Sequence, residues 1–253
     1  MSDLRDVTDD LRSEAEELDR TVVDLDADGW ATPTAVPGWT VGHQIAHLAA
    51  LYRLIGLAAS DPVAFTALTT QPRFDLEARL RASLSGYLLE PPGALFPRWH
   101  TERENTAAVL AALPPDRTVP WLGGPLEASA LAGAAMTELF RHDQDIADAL
   151  GLSRKRTDRV RHAIEFGLLP DSARYRPTGW TPPGPGLHVF LTAPSGALWD
   201  HGPTESPQKI VGAAEDFCLL VTGHGAQAVD LLASGPEARR WLADAQGRSA
   251  ETP

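Results

Sequence analysis

The sequence predicts a mainly α-helical protein, in which an N-terminal helical bundle is followed by a smaller α+β unit. Apolar residues recur at three- and four-residue steps through much of residues 1–169, which is the period of amphipathic helices. The joints between these stretches are short or capped, and this favours antiparallel packing. After a segment rich in proline and glycine at 170–187, strand-like alternation replaces the helical period.

Five bundle helices are predicted from apolar periodicity and from end signals. The first begins at Leu4 and ends near Gly29, because glycine can adopt a left-handed cap. The second follows Thr40 as N-cap and continues to about Ala59. It is apolar on nearly every side, so we expect it at the centre of the core. The other three are predicted at 97–113, 128–150 and 157–169.

The segment 61–97 separates the second and third of these helices. A short amphipathic helix is expected within it at 74–84. A connection of this length between bundle helices is unusual unless it covers a site. We therefore interpret 61–97 as a lid or a substrate-shaping insert.

The tail, residues 170–253, is predicted to be a small α+β domain beside the metal-binding helical bundle of residues 1–169. Its first strand is expected to return through a turn at 194–196. Strands are predicted at 187–192 and 197–200, and helices are predicted at 213–222 and 236–245.

Charge and cysteine content exclude several classes of protein. The net charge of −12 opposes binding to nucleic acid and to anionic membranes. Cys218 is the single cysteine, so an internal disulfide is impossible and a reducing compartment is expected. The first residues lack the pattern of a signal peptide, and no stretch is long and apolar enough to span a bilayer. These features predict a cytoplasmic protein and leave the oligomeric state open, a homodimer included.

Two of the predicted helices carry residues that suit a metal site. Glu138 and His142 are four residues apart, so both project from one helix face. His47 lies on the helix expected to be most buried. Facing bundle helices can bring such side chains together on Zn²⁺, Fe²⁺, Ni²⁺ or Mn²⁺, and three ligands leave room for substrate. The alternatives are a solvated Glu–His pair and a histidine hydrogen-bonded within the core.

Two motifs resemble one known family. Segment 36–48, VPGWTVGHQIAHL, and segment 138–151, ELFRHDQDIADALG, are similar to the metal-binding segments of the DinB-like superfamily, in its mycothiol-dependent maleylpyruvate isomerase branch. The tail, including GAAEDFCLLV at 212–221, resembles the small C-terminal domain of that branch. The resemblance implies a DinB-like four-helix bundle with a zinc-type site on His47, Glu138 and His142.

Neighbouring residues receive supporting interpretations. His43 precedes His47 by one turn and is a candidate to contact and orient a metal ligand, or a residue that packs near the start of its helix. Asp145 follows His142 by three residues and is predicted to orient its ring. Trp39 is interpreted as a core residue before the second helix rather than as a substrate platform.

The leading functional hypothesis is an enzyme that uses its metal to activate a small thiol. The resemblance implies mycothiol as cosubstrate, for S-transfer to a small electrophilic metabolite or for its cis–trans isomerisation. The alternatives are a metal-dependent hydrolase on the same ligands and a non-catalytic metal- or ligand-binding bundle.

The remaining nucleophilic and basic residues show no catalytic pattern. Cys218 lies in an apolar helical run and is predicted to be a buried, inert thiol. Five other histidines share no spacing and are interpreted as scattered surface or loop residues. They are His100, His162, His188, His201 and His224.

Overall fold

A computed structural model describes residues 3–71, 76–88, 92–114, 116–170, 172, 181–228 and 230–247. The chain forms two compact units, Met1–Arg154 and Lys155–Pro253. The boundary falls earlier than the one predicted after residue 169, because the helix at Val160–Leu168 packs on the helix at Ala214–Thr222 within the second unit.

The first unit contains seven helices and one short antiparallel strand pair among the described residues. Its elements are α1 Leu4–Val22, α2 Ala27–Trp30, α3 Val41–Ser60, α4 Pro62–Thr69, α5 Leu76–Leu88, α6 Pro92–Ala111, β1 Thr118–Val119, β2 Leu126–Glu127 and α7 Ala128–Ala149. The helices α1 and α3 each contact both α6 and α7, which closes a four-helix bundle. None of the helices in the described ranges combines the length and the apolar character that a bilayer-spanning segment needs.

Helix α3 is central to the bundle, as its apolar sequence predicts. Most of its side chains are buried. Tyr52 donates a hydrogen bond from its hydroxyl to the carbonyl of Ala135 on α7 at 3.2 Å. Thr106 of α6 donates to the carbonyl of Tyr52 at 2.7 Å. These buried bonds fix α3 against both neighbours, and so fix the position of His47.

The predicted end of the first helix is wrong. Helix α1 ends at Val22, and a separate turn, α2, follows it. The side chain of Asp26 accepts a hydrogen bond from the amide of Gly29 at 2.9 Å. Because this N-cap starts a new helix, Gly29 lies inside α2 instead of ending α1.

The third predicted helix begins earlier than expected. Helix α6 starts at Pro92 and contains Pro97. Pro92 takes the first position of the helix, where the missing N–H of proline is not needed. Pro97 is therefore an internal residue of α6 and not its start. The expected helix at 74–84 corresponds to α5, while residues 72–75 lie outside the described residues.

Helix α7 ends as its sequence predicts. Gly151 has φ +66°, which a side chain would disfavour. The backbone amide of Leu152 donates a hydrogen bond to the backbone carbonyl of Ala147 at 2.8 Å, and the amide of Gly151 donates one to the backbone carbonyl of Asp148 at 3.2 Å. This pair of bonds is the Schellman motif, and it sets where the helix bearing Glu138 and His142 stops.

The second unit is built on a four-stranded sheet of order β4-β3-β5-β6. The predicted hairpin is present as β3 and β4, while β5, which runs parallel to β3, and β6 were not predicted. Most of the predicted linker, at 171 and 173–180, lies outside the described residues. The elements are α8 Val160–Leu168, β3 His188–Thr192, β4 Leu198–His201, β5 Lys209–Ala213, α9 Ala214–Thr222, β6 Leu231–Ser234 and α10 Pro236–Gly247.

Candidate metal centre

The structure brings His47, Glu138 and His142 together inside the bundle. One ligand atom from each lies within 4.8 Å of the other two. The imidazole rings of His47 and His142 have centroids 4.6 Å apart. His142 Nε2 lies 3.6 Å from Glu138 Oε2. Helices α3 and α7 therefore present two imidazoles and one carboxylate to a common point.

The donor set fits a divalent metal ion. With bonds of about 2.1 Å, two ligands of a tetrahedral ion lie about 3.4 Å apart, close to the separation of His142 Nε2 and Glu138 Oε2. His47 Nδ1 and His142 Nε2 are buried and, in the described part of the chain, make no hydrogen bond. Buried polar atoms without partners are rare, and a metal bound by these nitrogens would satisfy them.

Burial keeps His47 neutral. The side chain is 9% exposed, and burial lowers its pKa to about 3, with a smaller contribution from the neighbouring His142. An imidazole must be unprotonated to bind a metal. His47 therefore offers a free nitrogen lone pair at neutral pH.

Gln44 contacts a candidate metal ligand, and the sequence analysis did not identify it. It is completely buried on α3, and its Oε1 lies in close hydrogen-bond contact with His142 Nδ1. Its Nε2 donates to Thr34 Oγ1 at 3.1 Å. With the amide so oriented, Oε1 accepts a proton held on Nδ1. The lone pair of His142 is then on Nε2, the nitrogen that faces Glu138.

Replacement of Gln44 by leucine should weaken metal binding by about 10- to 100-fold, because His142 loses the partner that fixes its ring and tautomer. The dissociation constant can be measured by competition with a chromophoric chelator. Gln144→Leu is the matched control, since Gln144 is a half-buried glutamine of α7 that donates a hydrogen bond from Nε2 to Asp148 Oδ1 at 2.8 Å. Unchanged affinity in Gln44→Leu would show that the contact does not orient the ligand.

Trp39 packs against the rings of the candidate ligands, a position that its interpretation as a core residue did not include. The ring is half-buried. Its centroid lies 5.3 Å from that of His47 and 6.2 Å from those of His43 and His142. The residue enters the site because the turn before α3 folds back over the first turns of that helix, with a bridge between Pro33 and Thr40.

The two predicted supporting residues have different outcomes. His43 Nδ1 accepts a hydrogen bond from the backbone amide of Thr40 at 3.2 Å, as part of a capping box. This bond places His43 at the start of its helix, which was one of its two interpretations. Asp145 is buried on α7. The observed orienting contact on His142 comes from Gln44, and the predicted contact from Asp145 stays a prediction.

The segment 61–97 helps to line a cavity of about 600 Å³ in the first unit. The lining includes Leu80 and Tyr87 from that segment, Arg98 from α6 and Ala50 from α3. Ala50 follows His47 by three residues, which is about one helical turn. The cavity and the candidate metal centre therefore share helix α3, with Ala50 and His47 about one turn apart. The function of the segment as a lid or insert stays a prediction.

Other histidines and the cysteine lie apart from these ligands in sequence. Cys218 is buried on α9, as predicted. His162 and His188 are also buried, so their interpretation as surface or loop residues is wrong. His188 lies on β3, where its Nε2 is 2.9 Å from Asp200 Oδ1 on the adjacent strand. This pairing across two strands leaves no spacing pattern in the sequence.

Comparisons with known proteins give a consistent result. Residues 11–147 match the family described as the mycothiol maleylpyruvate isomerase N-terminal domain. Two curated proteins of Mycobacterium tuberculosis are each 37% identical over 238 residues, covering 94% of this chain and 93% of their own. They are the uncharacterized proteins MT0041 of strain CDC 1551 / Oshkosh and Rv0036c of strain ATCC 25618 / H37Rv.

The fold is also found in solved structures. The crystal structure of the mycothiol-dependent maleylpyruvate isomerase matches with a TM-score of 0.58 at 18% identity. That of a mutant of the enzyme matches with the same score at 17% identity. Each comparison covers 94% of this chain and 98% of the other. At this level of identity the likeness establishes the common architecture of a helical bundle followed by a small C-terminal domain.

Proposed function

The chain belongs to the family of the mycothiol maleylpyruvate isomerase N-terminal domain, and from this membership we propose that it is a metal-dependent enzyme that uses a mycothiol-type thiol on a small electrophilic metabolite. The reaction is S-transfer to that metabolite or its cis–trans isomerisation. The observation that carries the proposal is the convergence of two imidazoles and one carboxylate from α3 and α7.

His47, Glu138 and His142 would hold the ion. Two nitrogens and one carboxylate oxygen suit Zn²⁺ best, and they also accept Ni²⁺, Fe²⁺ or Mn²⁺. Bound there, a divalent cation would lower the pKa of a thiol and so supply a thiolate nucleophile at neutral pH. Three protein ligands leave a position for that thiol.

The surrounding residues preorganise the ligands. Gln44 keeps the Nε2 lone pair of His142 directed at the site, while burial keeps His47 unprotonated. Trp39 lies over both rings and limits the access of water from its side. A site with little water strengthens the electrostatic effect of every charge in it.

The cavity beside α3 would take the organic part of the ligands. It combines apolar walls, such as Leu80 and Leu54, with polar groups such as Arg98 and Glu102. A pocket of this size accommodates a small metabolite or part of a larger thiol. The 61–97 segment would thus shape the substrate pocket.

Titration of the cobalt-loaded protein with mycothiol would test the proposal. We expect a sulfur-to-cobalt charge-transfer absorption that saturates at one equivalent of thiol, because thiolate sulfur would complete the coordination. S-methylated mycothiol is the matched control, since it keeps the sugar but cannot form a thiolate.

The result separates this function from its alternatives. Stoichiometric cobalt without any charge-transfer band on addition of mycothiol would contradict the thiol-dependent mechanism. Turnover of ester or amide substrates without thiol would then indicate hydrolysis on the same ligands. Protein that binds no cobalt at all would contradict the metal site itself.

A further inference from the structure

Arg141 is a buried cation beside the candidate metal centre. It lies on α7 directly before His142 and three residues after Glu138, a spacing that places the Arg141 and Glu138 side chains on neighbouring positions of one helix face. The residue is 6% exposed. Its charge is close enough to His47 to contribute to the lowered pKa of that imidazole.

The guanidinium of Arg141 forms no hydrogen bond or ion pair with any residue in the described ranges of the chain. Arg103 is buried to a similar degree, and it has Asp19 Oδ2 at 2.5 Å. A buried guanidinium whose N–H groups make no hydrogen bond is unfavourable. Arg141 therefore needs an explanation that Arg103 does not need.

The charges of the loaded site indicate the missing partner. A divalent cation, the Glu138 carboxylate and the Arg141 guanidinium together leave two positive charges, with both imidazoles neutral. A thiolate accounts for one negative charge, and a single carboxylate would supply the other. Arginine binds carboxylates with two parallel N–H···O bonds.

We propose that Arg141 is a specificity-determining residue that binds a carboxylate group of the ligand at the candidate metal centre. This inference rests on the proposed function and adds the chemical class of what binds beside the metal. The guanidinium donates two hydrogen bonds to the carboxylate oxygens, and no bond is made or broken. The carboxylate can belong to the thiol or to the electrophile.

Three probes separate the two sources. Mercaptoacetate and 2-mercaptoethanol differ in a carboxylate and a hydroxyl, and their affinities for the cobalt-loaded protein can be read from the charge-transfer absorption. Succinate, which has no thiol, can be titrated calorimetrically with 2-mercaptoethanol present. The variants are Arg141→Gln, Arg141→Lys, and Arg20→Gln as a matched control at an exposed arginine of α1.

Binding of either mercaptoacetate or succinate should weaken by about 10- to 100-fold in Arg141→Gln, the usual range for a charge-assisted hydrogen bond. Binding of 2-mercaptoethanol alone should be unchanged. The affinity of Arg141→Lys for these carboxylates should lie between those of wild type and Arg141→Gln, because lysine keeps the charge without the planar fork. Arg141→Lys replaces Arg141→Gln as the test variant if the latter does not fold. Weaker binding of mercaptoacetate would assign the carboxylate to the thiol, and weaker binding of succinate would assign it to the electrophile.

Metal-free protein supplies a readout that is independent of ligand. Arg141→Gln should have an unchanged or raised Tm, because the substitution removes a buried charged group that makes no hydrogen bond. A clear fall in Tm would indicate a structural role and overturn the inference. Equal affinities of wild type and Arg141→Gln for both carboxylates would also overturn it. Absence of any thiol signal would contradict the proposed function, and the succinate titration would still decide the role of Arg141.

Discussion

His142→Ala is expected to lower the affinity for Zn²⁺ by at least about 100-fold. Loss of a residue that only orients a ligand typically lowers metal affinity by about 10- to 100-fold. His142→Ala removes a ligand together with its contact to Gln44. The remaining pair, His47 and Glu138, lies on different helices and gives only two protein ligands. The measurement is the zinc content of protein purified without chelator, followed by competition with a chromophoric chelator.

The matched control is His100→Ala. His100 is exposed on α6, and its ring lies 6.3 Å from that of Phe96 between centroids. This variant should retain one equivalent of zinc with wild-type affinity. If His142→Ala also retained a full equivalent at that affinity, the assignment of the metal centre to α3 and α7 would be wrong.

The three candidate ligands could be predicted because each depends on a strong local signal. Glu138 and His142 share a face through helical spacing alone. His47 lies on a helix whose continuous apolar sequence predicts a central position. The convergence of α3 and α7 then needs only that two helices of a four-helix bundle face each other.

Gln44 and Trp39 could not be assigned in the same way. A glutamine on an apolar helix has no spacing that identifies its partner, and the partner of Gln44 is 98 positions away on another helix. Trp39 precedes its helix, where the course of the turn depends on the Pro33–Thr40 bridge. Both roles follow from tertiary contacts, which periodicity does not encode. The sequence signal that could have identified Gln44 is a polar side chain on a helix that is predicted to lie in the core.

The strands β5 and β6 escaped prediction for a local reason. The sequence KIVGA of β5 contains Gly212, whose φ of +157° and close approach to the carbonyl of Asp230 fit a tight strand contact. Glycine and alanine have low strand propensity. Pairing with β3 and β6 overrides that propensity, because the sheet supplies hydrogen bonds that the isolated segment lacks.

Asp19→Ala is expected to lower the free energy of unfolding by about 3–5 kcal/mol, the range for removing one partner of a buried ion pair. Asp19 on α1 accepts hydrogen bonds from Arg103 Nε at 2.9 Å and Nη2 at 2.5 Å, and from Trp99 Nε1 at 2.8 Å. Both donors lie on α6 and are buried. The substitution leaves a charged guanidinium and an indole N–H without this acceptor.

Urea denaturation of metal-free protein would measure the change, with Glu16→Ala as control at an exposed position of the same helix. The control should stay within about 0.5 kcal/mol of wild type. The double variant Asp19→Leu with Arg103→Met should recover much of the lost stability, because replacing both partners of a buried pair removes the uncompensated charge. A double variant no more stable than Asp19→Ala would instead attribute the loss to packing between α1 and α6. The cost of the single substitution thus comes from removing the buried carboxylate that Arg103 faces, because the remaining acidic partner, Glu104, is partly exposed to solvent.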